Sequence, residues 1–348
     1  MNSYLSKKLT FFSFWLMVGV VYIHSVILKT DSLSGLIQNF ISHQLLQFCV
    51  PLFFIISGYL FFISENDKSV DYVKKWRKRT KTLLLPYIIW SLGIFLIVYI
   101  MQSLPLVGNF FPQKFRDMTA YEKLMNALIY PYNYPLWFLR ELILYILVTP
   151  IVYFLLRKLD MLVLIAVFIS GLFLESYIKY HIKIFQVYPF FYFVLGCYLG
   201  IKKNTLSFNP KSLYIAGLLY IAVNLLVFFT ELGSIQIFAV ESYEFIFLKN
   251  VKNLLGCLFF WNLYDRFSGA DQRINRLYKY SFFIFAMHGI PATILTKAVA
   301  KIINNNVVVT TLYFLNPVII IGLCIITAFL IHKYLPRFYN LVTGGRLK

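Results

Sequence analysis

The sequence predicts an all-α protein: a single polytopic transmembrane helical bundle of about ten spans, with both termini cytoplasmic. Three observations predict it. Of 348 residues, 60% are hydrophobic, 19% aromatic and only 14% charged, where a soluble domain carries about 25% charged residues; the mean hydropathy is +0.72. Apolar runs of roughly twenty residues, the length that crosses a bilayer as a helix, recur along the chain. The cations gather on alternate connections. So much apolar surface cannot be hidden in one water-facing globule. A soluble enzyme, a nucleic-acid binder and a disordered segment are therefore disfavoured, and the formal charge of +19 is read as a topology signal.

The expected spans run approximately over 11–29, 44–63, 83–102, 136–156, 161–176, 185–201, 212–230, 246–264, 281–299 and 313–333. The first, from Phe11, is long enough to span and is followed by no small-residue cleavage site, so it reads as a span rather than a leader. Lys7 and Lys8 precede it. Lys68, Lys74, Lys75, Arg77, Lys78, Arg79 and Lys81 follow the second span, and Arg157 and Lys158 the fourth. Lys202, Lys203 and Lys211 follow the sixth, and Arg266, Arg273, Arg276 and Lys279 the eighth. Lys333, Arg337, Arg346 and Lys348 close the chain. Lys29, Lys114, Arg116, Lys123, Lys179, Lys183 and Lys301 lie on the other side. The imbalance puts both ends in the cytoplasm and fits an even number of spans. The fifth and sixth spans are short or interrupted. The connection over 103–134 carries Pro105, Pro112 and Pro131 and reads as a turn-rich loop or cap. Gly58 reads as a site of close helix packing. The whole chain, 1–348, reads as one integral-membrane domain.

Cys49, Cys197, Cys257 and Cys324 each sit in an apolar run, far from one another. That excludes a disulfide framework and a C-x-x-C redox or metal site, and no metal is expected. There is no P-loop, no G-x-S-x-G elbow, no H-E-x-x-H and no histidine with a carboxylate five residues on.

Ionisable groups inside lipid are costly, about 2.5–3.5 kcal/mol for a mid-span arginine on insertion scales, so they are candidates for function. His24 lies in the first span roughly 20 Å from its inner edge at 1.5 Å per residue, where a neutral imidazole can serve as a general base; a hydrogen-bonded structural histidine is the competing reading. Arg140 and Glu141, at the outer start of the fourth span, lie at comparable depth. They can orient a base and stabilise an oxyanion, or sit as an interfacial pair beside Trp137. Arg79 and Lys81, at the inner mouth of the third span, suit a phosphate-rich ligand. His288 follows Ser281 by seven residues and lines an internal path or packs in a core. Lys249, Lys252 and Asn253 lie at helical spacing and face one interior, unless the span boundary is misplaced.

Five segments, in order, carry a likeness to a known family. They are the first-span run ending in His24-Ser25; Val50-Pro51-Leu52-Phe53-Phe54-Ile55-Ile56-Ser57-Gly58-Tyr59-Leu60; Lys78-Arg79 leading into Leu85-Pro86-Tyr87-Ile88-Ile89-Trp90; Leu136-Trp137-Phe138-Leu139-Arg140-Glu141-Leu142 with Pro150; and Ser281 leading to His288. With these the chain resembles the acyltransferase-3 family of bacterial integral-membrane O-acyltransferases, which have ten or eleven spans. The resemblance implies a multi-pass protein of the bacterial cytoplasmic membrane that moves an acyl group, usually acetyl, from cytoplasmic acyl-CoA to a hydroxyl of an envelope glycan or lipid-linked sugar. Acetyl-CoA is then the co-substrate, the lipid bilayer the surroundings, and nucleic acid no partner. The resemblance marks His24 as the essential histidine, acting as base or brief acyl carrier, with Arg140 and Glu141 completing the catalytic set. It marks Arg79 as the conserved inner arginine; Lys81, His288 and Lys252 are expected with it along the donor route. Three positions depart from the pattern: Ser13 stands where many members carry Arg or Lys, Lys81-Thr82 where a second arginine is common, and Glu141 where Asp is common. A transporter or exporter of polysaccharide or glycolipid, without covalent chemistry, is the alternative that also needs buried cations in a bundle.

Overall fold

The computed structural model describes residues 3–28, 32–63, 70–104, 115–181, 184–204, 210–235, 238–240, 242–267 and 275–346. Lys29, Lys68, Pro105, Pro112, Lys114, Lys183, Arg273 and Lys348 lie outside them, as do the side chains of Lys179 and Lys211. All regular structure among the described residues is helical. In order the helices are α1 (Ser3–Ile23), α2 (Leu33–Asn39), α3 (Cys49–Phe62), α4 (Tyr72–Arg79), α5 (Leu85–Ser103), α6 (Ala120–Leu128), α7 (Trp137–Leu147), α8 (Thr149–Leu159), α9 (Met161–His181), α10 (Val187–Ile201), α11 (Pro210–Glu231), α12 (Tyr243–Phe267), α13 (Ser281–Met287), α14 (Gly289–Ile302), α15 (Asn306–Tyr334) and α16 (Pro336–Thr343).

Each of the ten expected segments falls on one of these helices or on a bent pair. Among the described residues, five stretches are long and apolar enough to cross a membrane, and seven are if each bent pair is one span. The expected boundaries shift for local reasons. The second and third stretches run over Leu33–Phe62 and Tyr72–Ser103, because π-helical turns at Phe40–Leu45 and Thr80–Leu84 join α2 to α3 and α4 to α5. The basic stretch expected as a loop is thus helical, capped by the Asp71 carboxylate on the Lys74 N–H. The fourth and ninth segments break instead of running straight. α7 and α8 meet at 59°, and α13 and α14 at 68°. Pro150 and Pro291 lack the N–H that a continuous helix needs and clash with the preceding turn.

α3 is the central helix, and α10 lies against it at the closest approach in the bundle. A Cβ on Gly58 would run into the Phe193 carbonyl, and one on Gly196 into that of Ile55; both positions need glycine because backbone meets backbone there. α1 packs on α3, α13 and α15. Phe54, Tyr145 and Phe193 form part of a fully buried aromatic core. The outer faces of α5, α11 and α15 expose Leu96, Leu218, Val318 and Ile326, an apolar surface suited to lipid rather than water. All four cysteines are free and buried.

Candidate functional site

The helical repeat builds the site. On α1, Ser13, Met17, Val20 and His24 recur at intervals of four, three and four, so they form one stripe. From Ser13 to His24 the stripe is about 16 Å long at 1.5 Å per residue. Intervals of three and four align Val50, Phe53 and Ser57 on α3, and on α13 set Phe285 three residues beyond Phe282 and four beyond Ser281. With Phe138, Leu139 and Leu142 of α7 these stripes enclose a cavity of about 310 Å³. His24 marks one end. Arg79 and Arg346 line the same cavity, and the helix directions put Ser13, Ser57 and Ser281 towards their end.

His24 is half-buried, with the Tyr134 ring edge-on at 4.8 Å and the His288 ring stacked at 5.4 Å. No hydrogen bond from a described residue claims its ring nitrogens, so both remain open to a ligand. Behind it, His288 is fully buried. Its Nδ1 lies 3.0 Å from the Ile284 carbonyl and 2.8 Å from that of Phe285. Carbonyls only accept, so Nδ1 donates, and Nε2 has no partner among the described residues.

At the opposite end Arg346 arrives on a turn that follows α16. Gly344 and Gly345 have φ of +67° and +69°, left-handed values that glycine adopts freely. Gly344 also rests on the Thr82 backbone, where a Cβ would collide. The turn holds the Arg346 guanidinium 3.7 Å above the Phe282 ring, with Nη1 donating to the Thr343 carbonyl at 2.7 Å. Neither Arg346 nor Arg79 pairs with a carboxylate among the described residues. Desolvation first, and then the like charge of Arg79, lower the Arg346 pKa. Two uncompensated guanidiniums on one cavity make a site for a polyanion such as a diphosphate.

Other expected site residues stand elsewhere. Arg140 and Glu141 do not line the cavity. The Arg140 Nη2 meets Glu141 Oε1 at 2.7 Å, its Nη1 donates to the Ile129 carbonyl at 2.7 Å, and Glu141 Oε2 accepts the Gln186 N–H at 3.1 Å. Successive helical residues diverge by about 100°, so a face that presents Leu139 and Leu142 turns these two away. They tie the ends of α6, α7 and α10. Lys252 is also off the cavity: its Nζ donates to Gln44 Oε1 at 2.6 Å. Gln44 Nε2 donates to Glu231 at 2.5 Å, and Glu231 takes Lys249 at 2.7 Å. One carboxylate and one amide thus account for two lysines on one face of α12. Lys81 is exposed beside the Gly344 turn, and His288 sits behind His24 rather than on a route. Arg346 was read from sequence only as a topology cation; the Gly-Gly turn signal before it was the available clue. No group of three His, Cys, Asp or Glu suited to a metal occurs among the described residues.

Comparison with known proteins identifies a family. The model of a family described as an acyltransferase domain matches residues 10–333. The succinoglycan biosynthesis protein ExoH of Rhizobium meliloti (strain 1021) is 25% identical over 369 residues, spanning 99% of this chain and 94% of that protein. No solved structure matches. The chain belongs to the acyltransferase-3 family.

Proposed function

From that membership we propose that the chain is a multi-pass acyltransferase of the bacterial cytoplasmic membrane, which moves an acyl group, acetyl by preference, from acyl-CoA to a hydroxyl of an envelope glycan. One observation carries the reading: one cavity has at one end two arginines that meet no carboxylate, and at the other an imidazole that no hydrogen bond claims, among the described residues. The glycan acceptor follows from the succinoglycan role in the relative's name. The cation bias favours the arginine end as cytoplasmic, in a bundle of ten spans with both termini inside.

The residues fit the donor. Arg79 and Arg346 would take its phosphates, with Lys81 at the rim. The apolar walls of Met17, Phe138, Phe282 and Phe285 would admit the uncharged arm that bears the thioester. At the far end His24 takes the proton from the acceptor hydroxyl as its oxygen attacks the thioester carbonyl. The C–O bond forms, the C–S bond breaks, and the imidazolium returns its proton to the departing thiolate, leaving an ester and a free thiol. General-base assistance of this kind is typically worth 10²- to 10⁴-fold. His288 and Tyr134 hold the imidazole plane by ring contact, the part that Arg140 and Glu141 were expected to take. Lys252 and His288, off the cavity, are not assigned to the donor.

The test is release of free thiol from acetyl-CoA by the purified full chain, with an envelope glycan fraction as acceptor. His24→Ala at normal expression is expected to lose at least 10²-fold in rate. Undiminished transfer by that variant rejects the assignment. Glycan movement with no acetyl-CoA consumption by the wild type selects the exporter instead.

A further inference from the structure

A second cavity, of about 550 Å³, opens on the other side of Val50 and Trp137, two residues that also line the first. It is built from the opening turns of α3, α7 and α10, the last turns of α9 and the first half of α12. Those helix ends surround the His24 end of the bundle. The lining is of two kinds. Trp137, Tyr188 and Tyr192 present aromatic surface, and Gln47, Asn250 and Asn253 present amides. Two of its polar atoms are buried without a partner among the described residues: the Tyr188 hydroxyl and the Asn253 Oδ1. A buried polar atom left unpaired is costly, so these two call for a ligand with donors and acceptors of its own.

Charge narrows the ligand further. Lys249, the cation of the lining, is neutralised by Glu231 at 2.7 Å. The Glu175 carboxylate accepts the Val187 N–H at 2.6 Å and the Tyr188 N–H at 3.2 Å. Among the described residues the cavity therefore offers no excess positive charge to a phosphate or a uronate, in contrast to the arginine pair at the far end. Aromatic faces beside amide groups suit a molecule with apolar C–H faces and a rim of hydroxyls. A lipid chain would leave the Asn253 Oδ1 and the Tyr188 phenol unmet.

We infer that this cavity is the sugar subsite of the acceptor and takes an uncharged pyranose, whose hydroxyls meet Tyr188 and Asn253 and whose face lies on an aromatic ring. The inference rests on the acyl-transfer reading for its purpose but not for its binding chemistry. Val50 and Trp137 form the wall that an acceptor hydroxyl passes to reach His24.

The probes are the methyl glycosides of glucose, galactose and mannose, with methyl glucuronide as the charged comparator. Each is titrated onto the detergent-solubilised full chain by saturation-transfer NMR. At least one neutral glycoside is expected to bind more tightly than the glucuronide. Tyr188→Phe removes one oxygen and keeps the ring packing; it is expected to weaken that glycoside about five- to tenfold, the scale of one neutral hydrogen bond. Asn253→Leu is expected to do the same. Failure of every neutral glycoside to bind overturns the inference, as does unchanged affinity in both variants. The two readings separate cleanly. Tyr188-dependent sugar binding by a chain that consumes no acyl-CoA removes the transfer reading and leaves the subsite. Acyl transfer that is indifferent to both substitutions removes the subsite alone.

Discussion

Replacing Arg346 by alanine is expected to weaken acyl-CoA binding about 10- to 150-fold. The magnitude follows from the local geometry. The side chain contributes one of two guanidiniums on the cavity, and a hydrogen bond between charged groups is worth about 1.5–3 kcal/mol, or that many fold at 1.4 kcal/mol per decade. Its stacking on Phe282 at 3.7 Å adds rigidity rather than affinity. Loss of the like charge beside Arg79 offsets part of the damage to the free protein, so the melting temperature should fall little. Titration with a non-hydrolysable acyl-CoA analogue reads the affinity directly. The salt dependence should also flatten, because one screened charge has gone. Arg346→Lys keeps the charge and loses the planar fork, so it should fall between the two. Gly344→Ala should reproduce the alanine variant, since a Cβ there meets the Thr82 backbone and displaces the turn. Equal affinity and equal salt dependence in wild type and Arg346→Ala would refute the two-arginine site.

Three other expectations follow from the packing. Arg140→Ala should destabilise the fold by about 3–5 kcal/mol, because it strands the buried Glu141 carboxylate, whereas Arg140→Met with Glu141→Leu should cost much less; thermal melts of the two variants decide, and equal losses would contradict the buried pair. Gly58→Ala should cost about 1–3 kcal/mol by overpacking α3 on α10, and an unchanged melt would contradict the close approach. The Glu122 carboxyl is held below its ordinary value, first by the Thr119 backbone N–H and then by the Thr119 hydroxyl. Its folded pKa is depressed, so its support for α6 is present above the ordinary carboxylate pKa and is lost as the pH falls through the folded value. Amide exchange over residues 119–123 should therefore speed up on acidification in the wild type and lose that pH dependence in Glu122→Ala.

How much of this was legible in the sequence depended on what each residue's role required. Apolar length set the helices, and His24 and Arg79 stood out because a costly group in or beside lipid needs a reason. Gly58 was legible for the same kind of reason, since a glycine in an apolar helix needs a close neighbour. That Arg140 and Glu141 lie off the cavity was not legible, because adjacency in sequence says nothing about which helical face is open. Nor were the partners of the α12 lysines, because Gln44 and Glu231 lie far away in the chain and only the tertiary fold brings them within reach. Arg346 was hidden among the topology cations. Its role depends on two left-handed glycines and the folding back of α16, neither of which leaves a periodic signal.

The distribution of charge along the first cavity explains how one site can keep its two substrates apart. Carrying a phosphate past Met17, Phe138 and Phe285 would strip its water without supplying a partner, at a cost of several kcal/mol per ion. In the proposed reaction the arginine pair supplies that partner at one end only, so a charged donor stops there and only its neutral arm reaches His24. The second cavity works from the opposite constraint. Among the described residues its cation is already paired and its free polar atoms are neutral, so they can bond a hydroxyl but not hold a phosphate. Val50 and Trp137 lie where these two environments meet. A hydroxyl that arrives there faces the His24 imidazole, whose nitrogens no described protein group has claimed. On this argument, the order of the chemistry rests on which groups the fold leaves unpaired, more than on the separation of His24 from Arg79.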